Sequence, residues 1–286
     1  MGHLRPITIG EIDYANAWPL FQNFEKHAAG MDYEMVSKVP SELNRLLSIG
    51  ELDLSAISSF SYGQYSRDYV LLPELSVGST GRVHSILLFL KHSIEEKKPR
   101  KITVTNASET SVNLLKIIMA KRFNCEPEYV AAEPNLNEML QDADAALLIG
   151  DPAIAASWRN SGLNILDLGE LWRDWTGLGM TYAVVAARKS AIRSNAKEIG
   201  LLYEALLASK NENLSRPDRL IARACQRLGG DPDYWATYFK SLQYDFGKSL
   251  QEGLSLYFRY ARELGLLKDD VEMTFFEGQS LQKVNE

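Results

Sequence analysis

The order of apolar and polar positions predicts strand, helix, strand, helix, strand over the first third of the chain: Ile7 to Ile12, Pro19 to His27, Tyr33 to Val36, Ser41 to Ile49 and Leu52 to Ile57. Gly50 supplies a stop for the second helix, because glycine enters the left-handed conformation that ends helices without a steric penalty. The same order returns after Pro99, over Lys101 to Thr105, Thr110 to Phe123, Glu128 to Val130, Asn135 to Gln141 and Ala143 to Ile149. Strands and helices alternating at these lengths imply parallel strands joined by right-handed crossovers. Two matching βαβαβ units imply two α/β lobes rather than one continuous sheet, although sequence identity between them is too slight to count as a repeat. From Ser194 onward the period is helical, over Ile199 to Ser209, Pro217 to Leu228, Pro232 to Leu242 and Lys248 to Leu264, and these helices are expected to pack around the first lobe.

Two lobes need places where the chain crosses between them. The candidates are Leu88 to Lys91, leaving the first unit, and the β-like stretch Thr181 to Ala187, which returns to it. The expected division is residues 1–89 with 184–286 in lobe 1, residues 90–183 in lobe 2, and a ligand cleft between them. In open α/β sheets ligands collect at the carboxyl ends of parallel strands, where loops converge and helix N-termini present free N–H groups. Those loops are polar here: Asp13 to Asn16 after the first strand, Ser58 to Tyr62 after the third, then Asn106 to Ser111 and Gly150-Asp151 in the second unit.

Composition removes several function classes. With 286 residues, 45% of them hydrophobic, the chain can bury two modest cores. A charged fraction of 24%, a net charge of −6 and no basic stripe argue against a nucleic-acid partner. Cys125 and Cys225 form no CxxC pair and read as buried thiols in a reducing compartment. The opening MGHLRPITIG lacks the apolar run of a signal peptide, and Pro6 stands where a myristoylation motif needs Ser or Thr, so a cytoplasmic, membrane-free protein is expected.

His3, His27, His84 and His92 lack metal-ligand spacing, and no HExxH, P-loop, GxGxxG or GxSxG is present; no metal or cofactor is expected. An enzyme of this composition works by positioning and proton transfer. Ser108, Thr110 or Ser111 can cap the helix that follows them, or that helix start can hold an anion through its N–H groups and dipole. Tyr14 and Asn16 precede Trp18-Pro19, where an Asn can also close its own turn. Ser58, Ser59 and Tyr62 can line a site or satisfy local backbone groups, and Asp151 can cap the helix through Trp158. Arg82 can pair with a carboxylate or lie in solvent, and His84 can be a base or a structural residue.

Taken in order, GEIDYANAWPL (Gly10 to Leu20), LDLSAISSFSY (Leu52 to Tyr62), STGRVHSILL (Ser79 to Leu88), TVTNASETSVNLL (Thr103 to Leu115), ALLIGDPA (Ala146 to Ala153) and DLGELWRDWTGLGMTYAV (Asp167 to Val184) resemble the menaquinone-biosynthesis family of the futalosine route. That family contains chorismate dehydratase and, more distantly, dihydroxynaphthoate synthase. The resemblance implies the two-lobed type II periplasmic-binding-protein fold and dehydration of chorismate to 3-(1-carboxyvinyloxy)benzoate. The family's central Asn and Ser correspond to Asn16 and Ser85, which it makes catalytic; Tyr14, Ser58, Ser59, Ser108, Thr110, Ser111 and Asp151 fall in its substrate-binding motifs. Thr110 and Ser111 are expected to take a substrate carboxylate. Two positions depart from the pattern: Glu109, expected to point outward, and Gly179-Met180 in place of a Pro-containing turn, expected to loosen the hinge. The rival readings are the sister synthase and a non-catalytic receptor for a small carboxylate, since fold alone does not separate binding from turnover.

Overall fold

The structure is a computed structural model that describes residues 5–159 and 162–277; His3 lies outside them. Eleven strands run in the order β1 Ile7–Ile12, β2 Tyr33–Lys38, β3 Leu54–Ser58, β4 Tyr69–Ser79, β5 Ile86–Leu90, β6 Lys101–Thr105, β7 Glu128–Ala132, β8 Ala145–Ile149, β9 Asn164–Asp167, β10 Met180–Arg188 and β11 Leu242–Gln243 among the described residues. The helices are α1 Trp18–Phe21, α2 Phe24–His27, α3 Pro40–Ile49, α4 Ser59–Gln64, α5 Glu109–Lys121, α6 Leu136–Met139, α7 Gly150–Arg159, α8 Leu168–Thr176, α9 Lys189–Ser215, α10 Asp218–Leu228, α11 Pro232–Ser241 and α12 Lys248–Glu263.

The strands form two sheets, ordered β11-β4-β10-β3-β1-β2 and β7-β6-β8-β5-β9. The two units found in the sequence share one topology: β1 pairs in parallel with β2 and β3, and β6 pairs in parallel with β7 and β8. Each unit is then closed by an antiparallel neighbour from the other half of the chain's path, β10 against β3 and β5 against β8. Each sheet is therefore mixed, with its parallel strands together on one side.

Strand alternation explains how the second sheet buries both faces. Ile86, Leu88 and Leu90 of β5, with Ala145, Leu147 and Ile149 of β8, point into the main core; Leu87, Phe89, Ala146 and Leu148 point into a smaller core with Met139 and Ala153. Gly50 ends α3 at φ +86, as its sequence position predicts. The segment read as one helix from Pro19 to His27 is two short helices, because Asn23 takes φ +67 between them. The C-terminal helices gather on lobe 1: α9 packs on α1, α2 and β4, and α12 on β10 and α4, with a further contact to α5.

Both crossings differ from their predicted places. β5 belongs to the second sheet, so the outward crossing lies between Ser79 and Ile86, ahead of Leu88 to Lys91. β10 lies wholly in the first sheet from Met180, so the return precedes Thr181. The physical reason is that β5 is apolar on both faces and carries no break at which a boundary could be read. Nor is the hinge at Gly179 loose: its N–H donates to Ser249 Oγ at 3.0 Å, its carbonyl accepts from Trp172 Nε1 at 3.1 Å, and Gly253 of α12 approaches it so closely that any Cβ there would collide.

Candidate functional site

One end of the seam between the lobes is assembled from three loops at strand ends. Ser85 opens β5 and Gly150 follows β8, and because Ile86 stands opposite Ile149 in the ladder, Gly150 N donates to Ser85 O at 2.7 Å. Gly150 has φ +64, and a Cβ there would lie 3.0 Å from the Tyr14 ring, so glycine permits both the turn and the close approach of lobe 1. Asp151, in the first turn of α7, reaches across the seam: its Oδ1 accepts the Ala15 N–H at 3.1 Å. Asn16 comes next in the same 3₁₀ turn, and its Oδ1 is buried with no hydrogen-bond partner among the described residues.

Charge is concentrated around this loop. Burial pushes the Asp151 carboxyl up to about 6, opposed by the Ala15 N–H and by Arg227 and Arg223. Tyr14 is pushed up to about 12 by burial and by the neighbouring Asp151 and Asp13. Arg223 lies 4.1 Å over the Trp18 ring, and Arg227 pairs with Asp13 at 3.3 Å, so two cations of α10 flank the strand end.

Ser85 is fully buried, and its backbone is set by the crossing just before it. The Asp167 carboxylate accepts the N–H groups of Val83 and His84 (2.7 Å for His84) and also those of Gly169 and Glu170 at the start of α8. His84 is thereby held at φ +61, a left-handed conformation that a non-glycine residue keeps only when its surroundings over-determine it. Ser85 Oγ donates to Val83 O at 3.3 Å and accepts from Tyr238 OH at 3.1 Å. His84 is half-buried, and burial lowers its imidazole below the ordinary value, which keeps it neutral near pH 7. Arg82 lies in solvent 3.7 Å from the exposed Glu170.

The other end of the seam joins α3 and α4 of lobe 1 to the start of α5 in lobe 2. Asn44 is the pivot: its Oδ1 accepts Ser58 N at 3.0 Å and its Nδ2 donates to Glu109 Oε2 at 3.1 Å. Thr110 Oγ1 accepts Phe60 N at 3.1 Å, while Tyr257 OH of α12 donates to Thr110 O at 3.1 Å. Ser108 caps α5, its Oγ accepting Ser111 N at 3.4 Å and donating to Ser111 Oγ at 3.2 Å. Ser59 Oγ and Ser61 Oγ are buried there without partners among the described residues.

All nine sequence-predicted positions therefore fall along one seam, but in two groups. Tyr14, Asn16, Ser85 and Asp151 form the first; Ser58, Ser59, Ser108, Thr110 and Ser111 form the second. Asp151 acts across the lobes on Ala15 rather than as a simple helix cap, whereas Ser108 is a cap. Glu109 does not point outward: it is half-buried against Asn44, and burial raises its carboxyl above the ordinary value, since a charged group is costly away from water. Sequence reasoning missed Asn44, Asp167 and Tyr238. Asp167 with Glu170 three residues on carries the spacing of a helix-capping pair, a signal open to sequence reading. Among the described residues no group of three His, Cys, Asp or Glu is placed to hold a metal, and no helix is long and apolar enough to cross a membrane.

Comparison with known proteins matches this architecture. Solved structures with the same fold include a protein of Archaeoglobus fulgidus (TM-score 0.73, 21% identity, 93% of this chain and 100% of that one). They also include the periplasmic aliphatic sulphonate binding protein of Escherichia coli (TM-score 0.67, 16% identity, 94% and 95%). The fold is thus the two-lobed one of periplasmic binding proteins. In sequence, the chain is 32% identical over 278 residues to the chorismate dehydratase of Thermus thermophilus, covering 92% of this chain and 97% of that protein. It is 25% identical over 229 residues to the 1,4-dihydroxy-6-naphthoate synthase of the same organism, covering 78% and 81%. A family described as menaquinone biosynthesis matches residues 7–263, a span that holds both ends of the seam, and the chain belongs to that family.

Proposed function

We propose that the protein is a chorismate dehydratase, a carbon–oxygen lyase that removes water from chorismate to give 3-(1-carboxyvinyloxy)benzoate. The observation that carries this reading is the 32% identity to a chorismate dehydratase over 92% of the chain, against 25% over 78% for the sister synthase. A cytoplasmic location and the absence of any cofactor belong to the same reading.

The chemistry suits a site of neutral hydrogen-bonding groups. A ring C–H bond breaks, the 4-hydroxyl leaves with a proton as water, and the ring becomes aromatic, so the driving force lies in the substrate. The protein has to orient the departing groups and exclude water. In the stepwise elimination proposed here, the substrate's own enolpyruvyl carboxylate takes the ring proton, while Asn16 and Ser85 orient that carboxylate and the leaving hydroxyl. Asn16 supports the part of this role that falls on the hydroxyl, because its buried Oδ1 is an acceptor, unpaired among the described residues, that can take the O–H of the leaving group. Thr110 and Ser111 are proposed to bind the remaining carboxylate: each hydroxyl already accepts from the protein and keeps its own proton to donate. Tyr14 and Asp151 close the first end over the ring, and Ser58, Ser59 and Ser108 complete the polar lining at the second. The proposed lobes, 5–79 with 180–277 and 86–177, follow the sheets.

Incubating the purified, metal-free protein with chorismate and following loss of water by mass spectrometry, alongside aromatic absorbance, tests the reading. Product without an added cofactor is expected. Binding without turnover would indicate a receptor, and indifference to chorismate would move the synthase reaction to the front.

A further inference from the structure

Tyr238 lies on α11, a C-terminal helix remote in sequence from every motif at the seam, yet its hydroxyl ends on the Ser85 side chain at 3.1 Å. The ring has little freedom. It stacks on Tyr234 with centroids 6.3 Å apart and meets Trp235 and Phe239 edge-on at 5.4 and 5.5 Å, and the side chain is 1% exposed. A serine hydroxyl has one proton and two lone pairs. At Ser85 one lone pair receives the Tyr238 proton, and among the described residues the Ser85 proton faces a distant carbonyl, Val83 O at 3.3 Å.

We propose that Tyr238 is a positioning residue for the elimination: by donating to Ser85 Oγ it fixes the rotation of that hydroxyl and leaves its proton free to turn to the substrate. The inference rests on the reading of Ser85 given above and adds to it a group from the C-terminal helices. Satisfying a buried phenol is not by itself the reason for the contact. Tyr244, buried in the same region, keeps its hydroxyl without a partner among the described residues. Nor does Tyr238 act as a base, because burial holds its hydroxyl well above the ordinary phenol range and keeps it a neutral donor.

The test compares Tyr238→Phe, which removes one oxygen and keeps the ring, with Tyr244→Phe, which removes an equally buried oxygen that has no hydrogen-bond partner among the described residues. Chorismate turnover by Tyr238→Phe is expected to fall about tenfold in kcat with KM within about twofold, the size of one buried hydrogen bond felt mainly in the transition state. Tyr244→Phe is expected to turn over at the wild-type rate, with both melting temperatures alike. Adding Tyr238→Phe to Ser85→Ala is expected to cost nothing further, since the two groups act as one unit. Wild-type kcat in Tyr238→Phe, a further loss in the double variant, or a selective fall in melting temperature with KM and kcat changing together would overturn the inference. Full activity in Ser85→Ala would instead overturn the role of Ser85 on which it rests.

Discussion

Where Tyr14 to Asn16 of lobe 1 meet Gly150 and Asp151 of lobe 2, the lobes touch, among the described residues, through one hydrogen bond and a ring laid on a glycine, with an amide oxygen beside them unpaired among those residues. Where α3 and α4 meet α5, the contact is denser: Asn44 bonds to both sides of the seam, Thr110 accepts from Phe60, and Tyr257 braces the Thr110 carbonyl. Both places are strand ends in sheets of the same topology, so the sheets alone do not create the difference. It comes from what the loops carry. The first end crosses the seam through one carboxylate, whereas the second joins the lobes through Asn44 and Thr110 and caps a helix with Ser108, keeping the Ser59 and Ser61 hydroxyls buried without partners among the described residues. We propose that the first end carries the reacting groups and that the bonds at the second end hold the enclosure shut.

Altering Asp151 breaks this contrast at the contact between the lobes. Asp151→Asn keeps the shape but weakens the acceptor for the Ala15 N–H, and chorismate turnover is expected to fall tenfold or more by the loss of a charge-assisted bond. The variant also tests the charge state. A carboxyl raised from 3.8 to about 6 by burial binds more protons folded than unfolded between those values. Its contribution to stability is therefore complete below the unfolded value and is lost as pH rises through the folded one. The difference in melting temperature between wild type and Asp151→Asn should change across that window and be flat above it.

At the second end a smaller and different effect is expected. Thr110→Val leaves Phe60 N without its acceptor and removes the proposed donor to the substrate carboxylate, so KM should rise about fivefold with kcat nearly unchanged. An equal loss in kcat at this end would erase the proposed division of labour. The smallest effect is expected at His84, whose role is to carry the crossing through a left-handed turn. The pH–rate profiles of wild type and His84→Ala should coincide near neutrality, and a titration present only in wild type would make the imidazole a base.

Much of this was legible in the sequence because its signals are local. Ile7 to Ile12 and Lys101 to Thr105 are strands with the predicted limits, and the polar loops that follow them do face the seam. The outward crossing is hidden in the sequence because β5 is buried on both faces and reads as a continuous apolar run. The Ser58 to Tyr62 stretch read as a loop, since serine-rich segments favour turns, whereas Ser59 to Gln64 is helical and packed against α5 and α12. Tyr238 and Ser85 are 153 positions apart, and helical periodicity marks Tyr238 only as buried. No local pattern states which hydroxyl a buried tyrosine will meet.

We propose that the Asn16 oxygen, unpaired among the described residues, serves turnover rather than binding alone. Wild type and Asn16→Ala, held with saturating chorismate in a single-turnover experiment, test it most directly when bound substrate and aromatic product are both quantified. Both proteins are expected to bind chorismate, while Asn16→Ala forms product at least about a hundredfold more slowly, the scale of losing an oriented polar group at a reacting centre. Product formation by Asn16→Ala at the wild-type rate would contradict it.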